Sequence, residues 1–175
     1  GVLGFGYEEA LGFAVDPLVA DKDGVSAALA LAKFAHEQSK VGRSLLDRID
    51  ELESQFGVHA TSQLSIRADG PEGLANLHRA VRLLYEVPPS ALGELRVTEV
   101  FDLNEGFRGL PPTEGVWFSL GDFGRVVVRP SGTEAKVKAY IEITPAREGS
   151  LAEQRARGAA LLKGARANLD ALLRV

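Results

Sequence analysis

The stretch RVVVRPSGTEAKVKAYIEI, residues 125–143, decides the fold because a short polar loop joins two segments that read as β-strands. Side chains of the second segment alternate cleanly between apolar and polar. The apolar set, which shares one face, is Val137, Ala139, Ile141 and Ile143. This alternation predicts a strand with one face on a core and the other face polar.

The loop RPSGTE at the centre of that stretch allows two interpretations. Gly132 between two hydroxyl residues lets successive backbone N–H groups converge on an anion. Arg129 can bind two phosphate oxygens at once, and the Ser131 and Thr133 hydroxyls can bind others. Alternatively, the loop only connects two strands, and its hydroxyls bond to their own backbone. The local pattern leaves both interpretations open.

Outward from this loop, the apolar spacing predicts helices over residues 24–39 and 45–56, with Asp23 as an N-cap and Gly57 as the C-terminal glycine. Residues 58–175 then predict a strand, a helix that ends before Pro88, further strands and a long final helix. We expect an α+β protein. Its C-terminal β-α-β-β-β-α domain, an antiparallel sheet covered by helices, spans residues 58–175 and follows a partial α/β domain at 1–57.

Composition excludes several classes of function. With 20 basic and 24 acidic side chains, the net charge of −4 argues against nucleic acid as a partner. No apolar run approaches the roughly 20 residues that cross a bilayer, so no membrane association is expected. The absence of cysteine excludes disulfides and thiolate metal sites and is compatible with the cytoplasm, the expected location.

Two further polar clusters lie near the start of the chain. In GFGYEEALGF, residues 4–13, Glu8 and Glu9 can accept hydrogen bonds from sugar hydroxyls, or can simply be acidic residues that open a helix. In DKDG, residues 21–24, the two carboxylates are too few to indicate a metal site. Lys22 of that motif can meet a phosphate as a point charge.

These motifs together resemble those of one enzyme family, the α-D-phosphohexomutases. RVVVRPSGTEAKVKAYIE closely resembles the family's phosphate-binding loop, R-P-S-G-T-E-P-K between two strands of the fourth domain. GYEEALGF resembles the sugar-binding loop of the third domain, and DKDGVSAALALA resembles the helix start that follows it. Order and spacing agree across essentially the whole chain. The resemblance implies that residues 1–57 are the end of domain 3 and residues 58–175 are domain 4.

The resemblance also implies roles for individual residues. The positions that match the grip on the substrate's non-reacting phosphate are Arg129, Ser131, Gly132 and Thr133. Glu8, with Glu9 beside it, matches the carboxylate that holds sugar hydroxyls, and Lys22 matches a lysine that approaches a phosphate. Two departures are Ala10, where many members have serine, and Ala135, where proline is usual. The first weakens any inference about the preferred sugar.

Members of the family are isomerases that interconvert sugar 1-phosphate and sugar 6-phosphate, and glucose phosphate is the substrate that the resemblance favours here. They act through a phosphoserine, a sugar 1,6-bisphosphate intermediate and Mg²⁺ held by a D-x-D-x-D loop. Neither that loop nor a T-x-S-H serine loop occurs in this sequence. The resemblance therefore implies no catalytic residue and no metal ligand in these residues, and predicts that the chain alone binds substrate without turnover.

Two expectations about partners follow. The chain has no methionine, even at position 1, so we expect the missing N-terminal domains of the same protein to be its partner. An incomplete domain 3 would expose apolar surface and favour self-association. The alternative is a stand-alone module that binds sugar phosphates, other anions or a protein without catalysis.

Overall fold

A computed structural model describes residues 4–9, 11–131 and 134–174. The chain divides into two compact units, Gly1–Gln55 and Phe56–Val175. The assignment of these units to domains 3 and 4 of the family stays a prediction.

The first unit contains a β-hairpin and two helices. Strands β1 (Gly6–Glu8) and β2 (Gly12–Ala14) pair antiparallel, and the helices are α1 (Gly24–Lys40) and α2 (Leu45–Phe56). Asp23 is the N-cap of α1, as predicted, because its carboxylate accepts a 2.7 Å hydrogen bond from the backbone N–H of Ser26. Neither helix has a buried residue, and Leu29, Leu31 and Leu46 are among their exposed apolar side chains.

The second unit begins with β3 (Ala60–Arg67) and α3 (Gly70–Glu86), then the short strands β4 (Ala91–Leu92), β5 (Leu95–Arg96) and β6 (Glu99–Asp102). Strands β7 (Val116–Ser119), β8 (Gly124–Pro130) and β9 (Lys136–Ile143) follow, and α4 (Leu151–Leu173) completes it. Five strands form one antiparallel sheet in the order β3-β9-β8-β7-β6, while β4 and β5 form a separate hairpin. The α+β class is confirmed.

The core of this unit lies between one face of the sheet and helices α3 and α4. The core residues contributed by β8 and β9 are Val126, Val128, Val137, Ala139, Ile141 and Ile143. The helices contribute Leu77, Ala80, Val81, Leu84, Ala165, Leu169 and Leu173. Every second residue of β9 is buried, so the alternation predicted for residues 136–143 is confirmed. The side chains between them, Arg129 and Lys138 included, therefore lie on the opposite face.

The opposite face carries a smaller aromatic cluster. The rings of Phe101, Phe107 and Trp117 lie 5.1–5.4 Å apart between centroids, and Arg108 lies over two of them. Trp117 is only 9% exposed. Its contacts are those of a packing residue.

Two features differ from the expected order of elements. Along the chain, four strands of the sheet, β6 to β9, lie between α3 and α4, whereas the expected order has three. The β4-β5 hairpin was not predicted. Strands of two to four residues, such as β5 and β6, are too short for alternation to define them. None of the described helices is long and apolar enough to cross a membrane.

Candidate functional site

Backbone hydrogen bonds hold the described ends of the loop between β8 and β9. The N–H of Ser131 donates to the Lys136 carbonyl at 2.8 Å, and the N–H of Lys136 donates to the Glu134 carbonyl at 2.8 Å. A third bond, 2.9 Å long, joins the N–H of Ala68, just after β3, to the Ala135 carbonyl. The predicted residues Gly132 and Thr133 lie outside the described residues, so their roles stay predictions.

Arg129 precedes this loop on β8 and is exposed on the face opposite the core. Its register partner on β9 is Lys138. Ser131, half-buried, follows two residues later. Among the described residues, the ion pairs near the loop involve neither Arg129 nor Lys138, although the charge of Lys138 helps to lower the pKa of Glu134.

Glu134 binds two other cations at the same end of the sheet. Its carboxylate lies 2.5 Å from Lys136 Nζ and 3.6 Å from Arg67 Nη2. The hydrogen bond from Lys136 is the main reason why the pKa of Glu134 lies below its usual value. Arg67, Arg129, Lys136 and Lys138 lie with Glu134 at this end of the sheet, so cations outnumber carboxylates among these five residues. This local excess attracts anions.

Gly115, at the start of β7, leaves room for Arg129. A Cβ on Gly115 would lie 2.7 Å from the Val128 carbonyl oxygen and 3.1 Å from Arg129 Cβ. Its φ of +150° is also one that side chains rarely adopt. The lack of a side chain at position 115 thus allows the backbone to approach β8 closely beside Arg129.

In the first unit, the structure brings Glu8 and Lys22 together. Lys22 Nζ lies 3.7 Å from Glu8 Oε1 and 3.1 Å from Asp21 Oδ1. The hydrogen bond to Asp21, followed by the charges of Asp21 and Glu8, raises the pKa of Lys22. Glu9 follows β1 in the turn of the hairpin. Both Glu8 and Lys22 line an open cavity of about 500 Å³, which lies within this unit.

The carboxylates of the DKDG motif already have partners. Asp21 accepts hydrogen bonds from the backbone and side chain of Lys22, which lower its pKa. Asp23 caps α1. The described residues contain no group of three or more His, Cys, Asp or Glu side chains placed to hold a metal ion. They therefore do not fit a magnesium centre.

The predicted residues thus form two sets, one in each unit. Arg129 and Ser131 lie together at the β8-β9 loop, and Glu8 and Lys22 lie together beside the β1-β2 hairpin. Sequence reasoning missed Lys138 as a neighbour of Arg129. The alternation of β9 placed Lys138 on the polar face, but only the strand register shows which residue lies opposite it.

Comparison with known proteins identifies one family and several relatives whose names agree with that family. The family described as Phosphoglucomutase/phosphomannomutase, C-terminal domain, matches residues 19–158. A probable phosphomannomutase from Haemophilus influenzae is 37% identical over 139 residues, which cover 79% of this chain and 27% of that protein. A phosphoglucomutase from Staphylococcus aureus strain MSSA476 is 30% identical over 149 residues, with the same two coverages of 79% and 27%.

A solved structure shares the fold. The open form of the exocytosis-sensitive phosphoprotein pp63/parafusin, a phosphoglucomutase from Paramecium, aligns with 93% of this chain at a TM-score of 0.55 and 17% identity. The aligned part is 29% of that chain, so this chain spans roughly a quarter of the length of its relatives. Residues 19–158 match the C-terminal domain of the family and make up most of the sequence. This chain therefore belongs to the phosphoglucomutase/phosphomannomutase family.

Proposed function

We propose that this chain is the substrate-binding C-terminal part of a phosphohexomutase that interconverts sugar 1-phosphate and sugar 6-phosphate, with glucose phosphate as substrate. The observation that carries the proposal is the position of Arg129. It is exposed at the mouth of a strand-loop-strand unit, and among the described residues no carboxylate pairs with it. The relatives are phosphomutases, which are isomerases by class.

The chemistry suits the phosphate that does not react. A guanidinium can bind two phosphate oxygens in parallel, and the Ser131 hydroxyl two residues on can donate to a third. Each charge-assisted bond contributes about 1.5–3 kcal/mol. Both residues stand on or next to β8, whose pairing with β7 and β9 fixes the backbone before ligand arrives. Gly132 and Thr133 are proposed to complete this grip with backbone N–H groups and a hydroxyl.

The sugar is proposed to interact with the first unit. Ionised Glu8 accepts hydrogen bonds from hydroxyl groups, with Glu9 beside it, and Lys22 offers a positive charge to a phosphate. The cavity that Glu8 and Lys22 line, about 500 Å³, has the size of a small-molecule site. Lys22 would have to exchange part of its contact with Asp21 for the ligand.

The chemical step needs groups that we place elsewhere in the full-length protein. These are a phosphoserine donor, a sugar 1,6-bisphosphate intermediate and Mg²⁺, which when bound stabilises charge on the transferring phosphoryl group. The described residues do not fit the metal, so we propose that its ligands and the serine belong to the N-terminal domains. The chain alone then binds substrate in the cytoplasm, the proposed location, without converting it.

A titration followed by amide chemical shifts tests this proposal. Glucose 1-phosphate and glucose 6-phosphate should each cause saturable shifts at Arg129 and Ser131, while glucose without phosphate should cause none there. Sugar phosphates that leave both residues unshifted would overturn the site assignment. Shifts together with the absence of mutase activity in the longest natural polypeptide would favour the stand-alone binding module instead.

A further inference from the structure

Strand β3 forms one edge of the five-stranded sheet, so it is paired with a neighbouring strand on one side only. It is eight residues long, whereas β6 at the other edge has four residues. The backbone N–H and C=O groups on the free side of an edge strand can serve as a template for another strand. The β3 edge offers the longer row of such groups.

Hydrogen bonds at the ends of the strands show which residues of β3 face outward. In an antiparallel pair, residues that bond to the partner strand alternate with residues that do not. The Ala68 N–H donates to the Ala135 carbonyl at 2.9 Å in continuation of the β3-β9 register, so the even-numbered residues of β3 bond to β9. The bond from Ser131 to Lys136 agrees, because it assigns the even-numbered residues of β9 to β8. The outward residues of β3 are therefore Thr61, Gln63, Ser65 and Arg67.

One side chain already bonds to this outward row. Arg166 on α4 donates from Nη1 to the Gln63 carbonyl at 3.1 Å and to the Ser62 hydroxyl at 2.8 Å. The other three outward residues are exposed, and within the described parts of the chain their backbone groups have no such partner. Arg166 thus covers one acceptor of the edge and leaves the rest of the row free.

We propose that the outer edge of β3 pairs antiparallel with the same edge of a second copy of this chain, and that Arg166 weakens this pairing because it occupies the Gln63 carbonyl. A contact of this kind is self-complementary, as the interfaces of two-fold homodimers are. A pairing centred on Leu64 would set Gln63 opposite Ser65 of the second copy. About eight backbone hydrogen bonds would then join the two sheets into one.

Charge favours the antiparallel orientation of the second copy. Arg67 is the only charged residue in the outward row, so a copy of the row opposes it mostly with uncharged side chains. At one end of β3 the register partner of Arg67 is Lys136, and at the other end the register partner of Thr61 is Glu142. An antiparallel copy brings its own Arg67 towards the end that carries Glu142. A parallel, in-register copy would place two arginines side by side, which destabilises a sheet.

Backbone amide hydrogen exchange of the whole chain at increasing concentration tests the proposal. The amides of Gln63 and Ser65 should gain protection as the concentration rises. The amides of Leu64 and Ile66, which already bond to β9, should change little. This measurement reports on individual residues, so association through the apolar surface of the first unit does not imitate the expected result.

Two substitutions on α4 test the part played by Arg166. Arg166→Met frees the Gln63 carbonyl, so the concentration that gives half-maximal protection should fall by about tenfold. Lys163→Met is the matched control, because it removes a positive charge from an exposed position on the same helix. This control should exchange as the wild type does.

A double substitution on the edge tests the contact itself. Gln63→Glu with Ser65→Glu places carboxylates opposite each other in pairings centred on residue 63, 64 or 65, so the repulsion should abolish the concentration-dependent protection. Ser90→Glu with Thr113→Glu is the control, because it adds the same two charges at exposed positions outside β3. The control should keep the protection of the wild type.

Three results would overturn the inference. The first is exchange at Gln63 and Ser65 that does not depend on concentration in either the wild type or Arg166→Met. The second is concentration-dependent protection that persists in the double variant Gln63→Glu/Ser65→Glu. The third is association in which new protection is confined to the first unit. The test uses no ligand, so its outcome is independent of the proposed function.

Discussion

The backbone of Ser131 is bonded directly to that of Lys136: the Ser131 N–H donates to the Lys136 carbonyl over 2.8 Å and closes the base of the loop between β8 and β9. The candidate ligands Arg129 and Ser131 are therefore attached to the central strands of a five-stranded sheet. A site on such a frame loses little conformational entropy when it binds its ligand.

Gly115→Ala tests whether the close approach of β7 holds Arg129 in place. The added methyl group would lie 2.7 Å from the Val128 carbonyl oxygen at a φ of +150°. We expect a loss of about 2–3 kcal/mol in unfolding free energy, together with weaker binding of glucose 6-phosphate. Chemical denaturation and calorimetry measure the two effects.

Gly109→Ala is the control for that change. Gly109 also has a positive φ, +82°, but nothing lies within 4 Å of an added Cβ. It should cost only about 1–2 kcal/mol from backbone strain and leave ligand binding intact. Equal effects of the two alanines on stability and on binding would show that contact with β8 is unimportant.

Glu8→Gln tests the proposed sugar contact. Glu8 is exposed, so the fold should be unaffected, while the weaker amide acceptor should lower affinity for glucose 6-phosphate by about three- to tenfold. Binding of inorganic phosphate, which has no sugar hydroxyls, should not change. Shift titrations with both ligands measure the difference. Equal losses for both ligands would contradict a contact between Glu8 and the sugar hydroxyls.

Glu142 should make stability depend on pH. Burial alone would raise its pKa, but hydrogen bonds with His59 at 2.9 Å and Arg125 at 2.7 Å outweigh burial and lower the pKa from 4.5. A lowered carboxyl pKa contributes stability above the unfolded-state pKa, and this stability is lost as pH falls through the folded-state pKa.

The wild type should therefore lose unfolding free energy below pH 4.5, and Glu142→Gln should lack this part of the loss. At neutral pH the variant should be less stable by about 1 kcal/mol. Denaturation curves at several pH values measure both effects, with the exposed Glu94→Gln as the control. Parallel pH profiles for the wild type and Glu142→Gln would contradict this account.

The apolar surface of the first unit should cause self-association at high concentration. Leu31 is 57% exposed and Phe34 is 41% exposed, and both line an apolar cavity of about 530 Å³. We expect the sedimentation mass to rise with concentration and Leu31→Asp to reduce that rise. Leu110→Asp, at a 66% exposed leucine of the second unit, should not. A wild-type chain that stays monomeric at every concentration would refute this expectation.

Long periodic elements were predictable from sequence. α1 was expected over residues 24–39 and spans Gly24–Lys40, and the two faces of β9 agree residue by residue. The β4-β5 hairpin was not predictable, because its two-residue strands carry no period. The order of the motifs along the chain was read directly from the sequence. The helix cap at Asp23 was predicted from its residue type.

The candidate site was predictable only in part. Motifs indicated Arg129, Ser131 and Glu8, but the pairing of Arg129 with Lys138 depends on strand register. The contact of Lys22 with Glu8 likewise depends on how a loop folds back on a hairpin. Such long-range relationships arise from tertiary packing, which local sequence patterns do not encode.

The central claim is that Arg129 binds the phosphate of a sugar phosphate, and calorimetric titration with glucose 6-phosphate tests it most directly. The comparison is between the wild-type chain, Arg129→Met and the charge-matched Arg96→Met, at an exposed position on β5. Arg129→Met should weaken binding by at least about tenfold, while Arg96→Met should match the wild type. Equal affinities for the wild type and Arg129→Met would contradict the account.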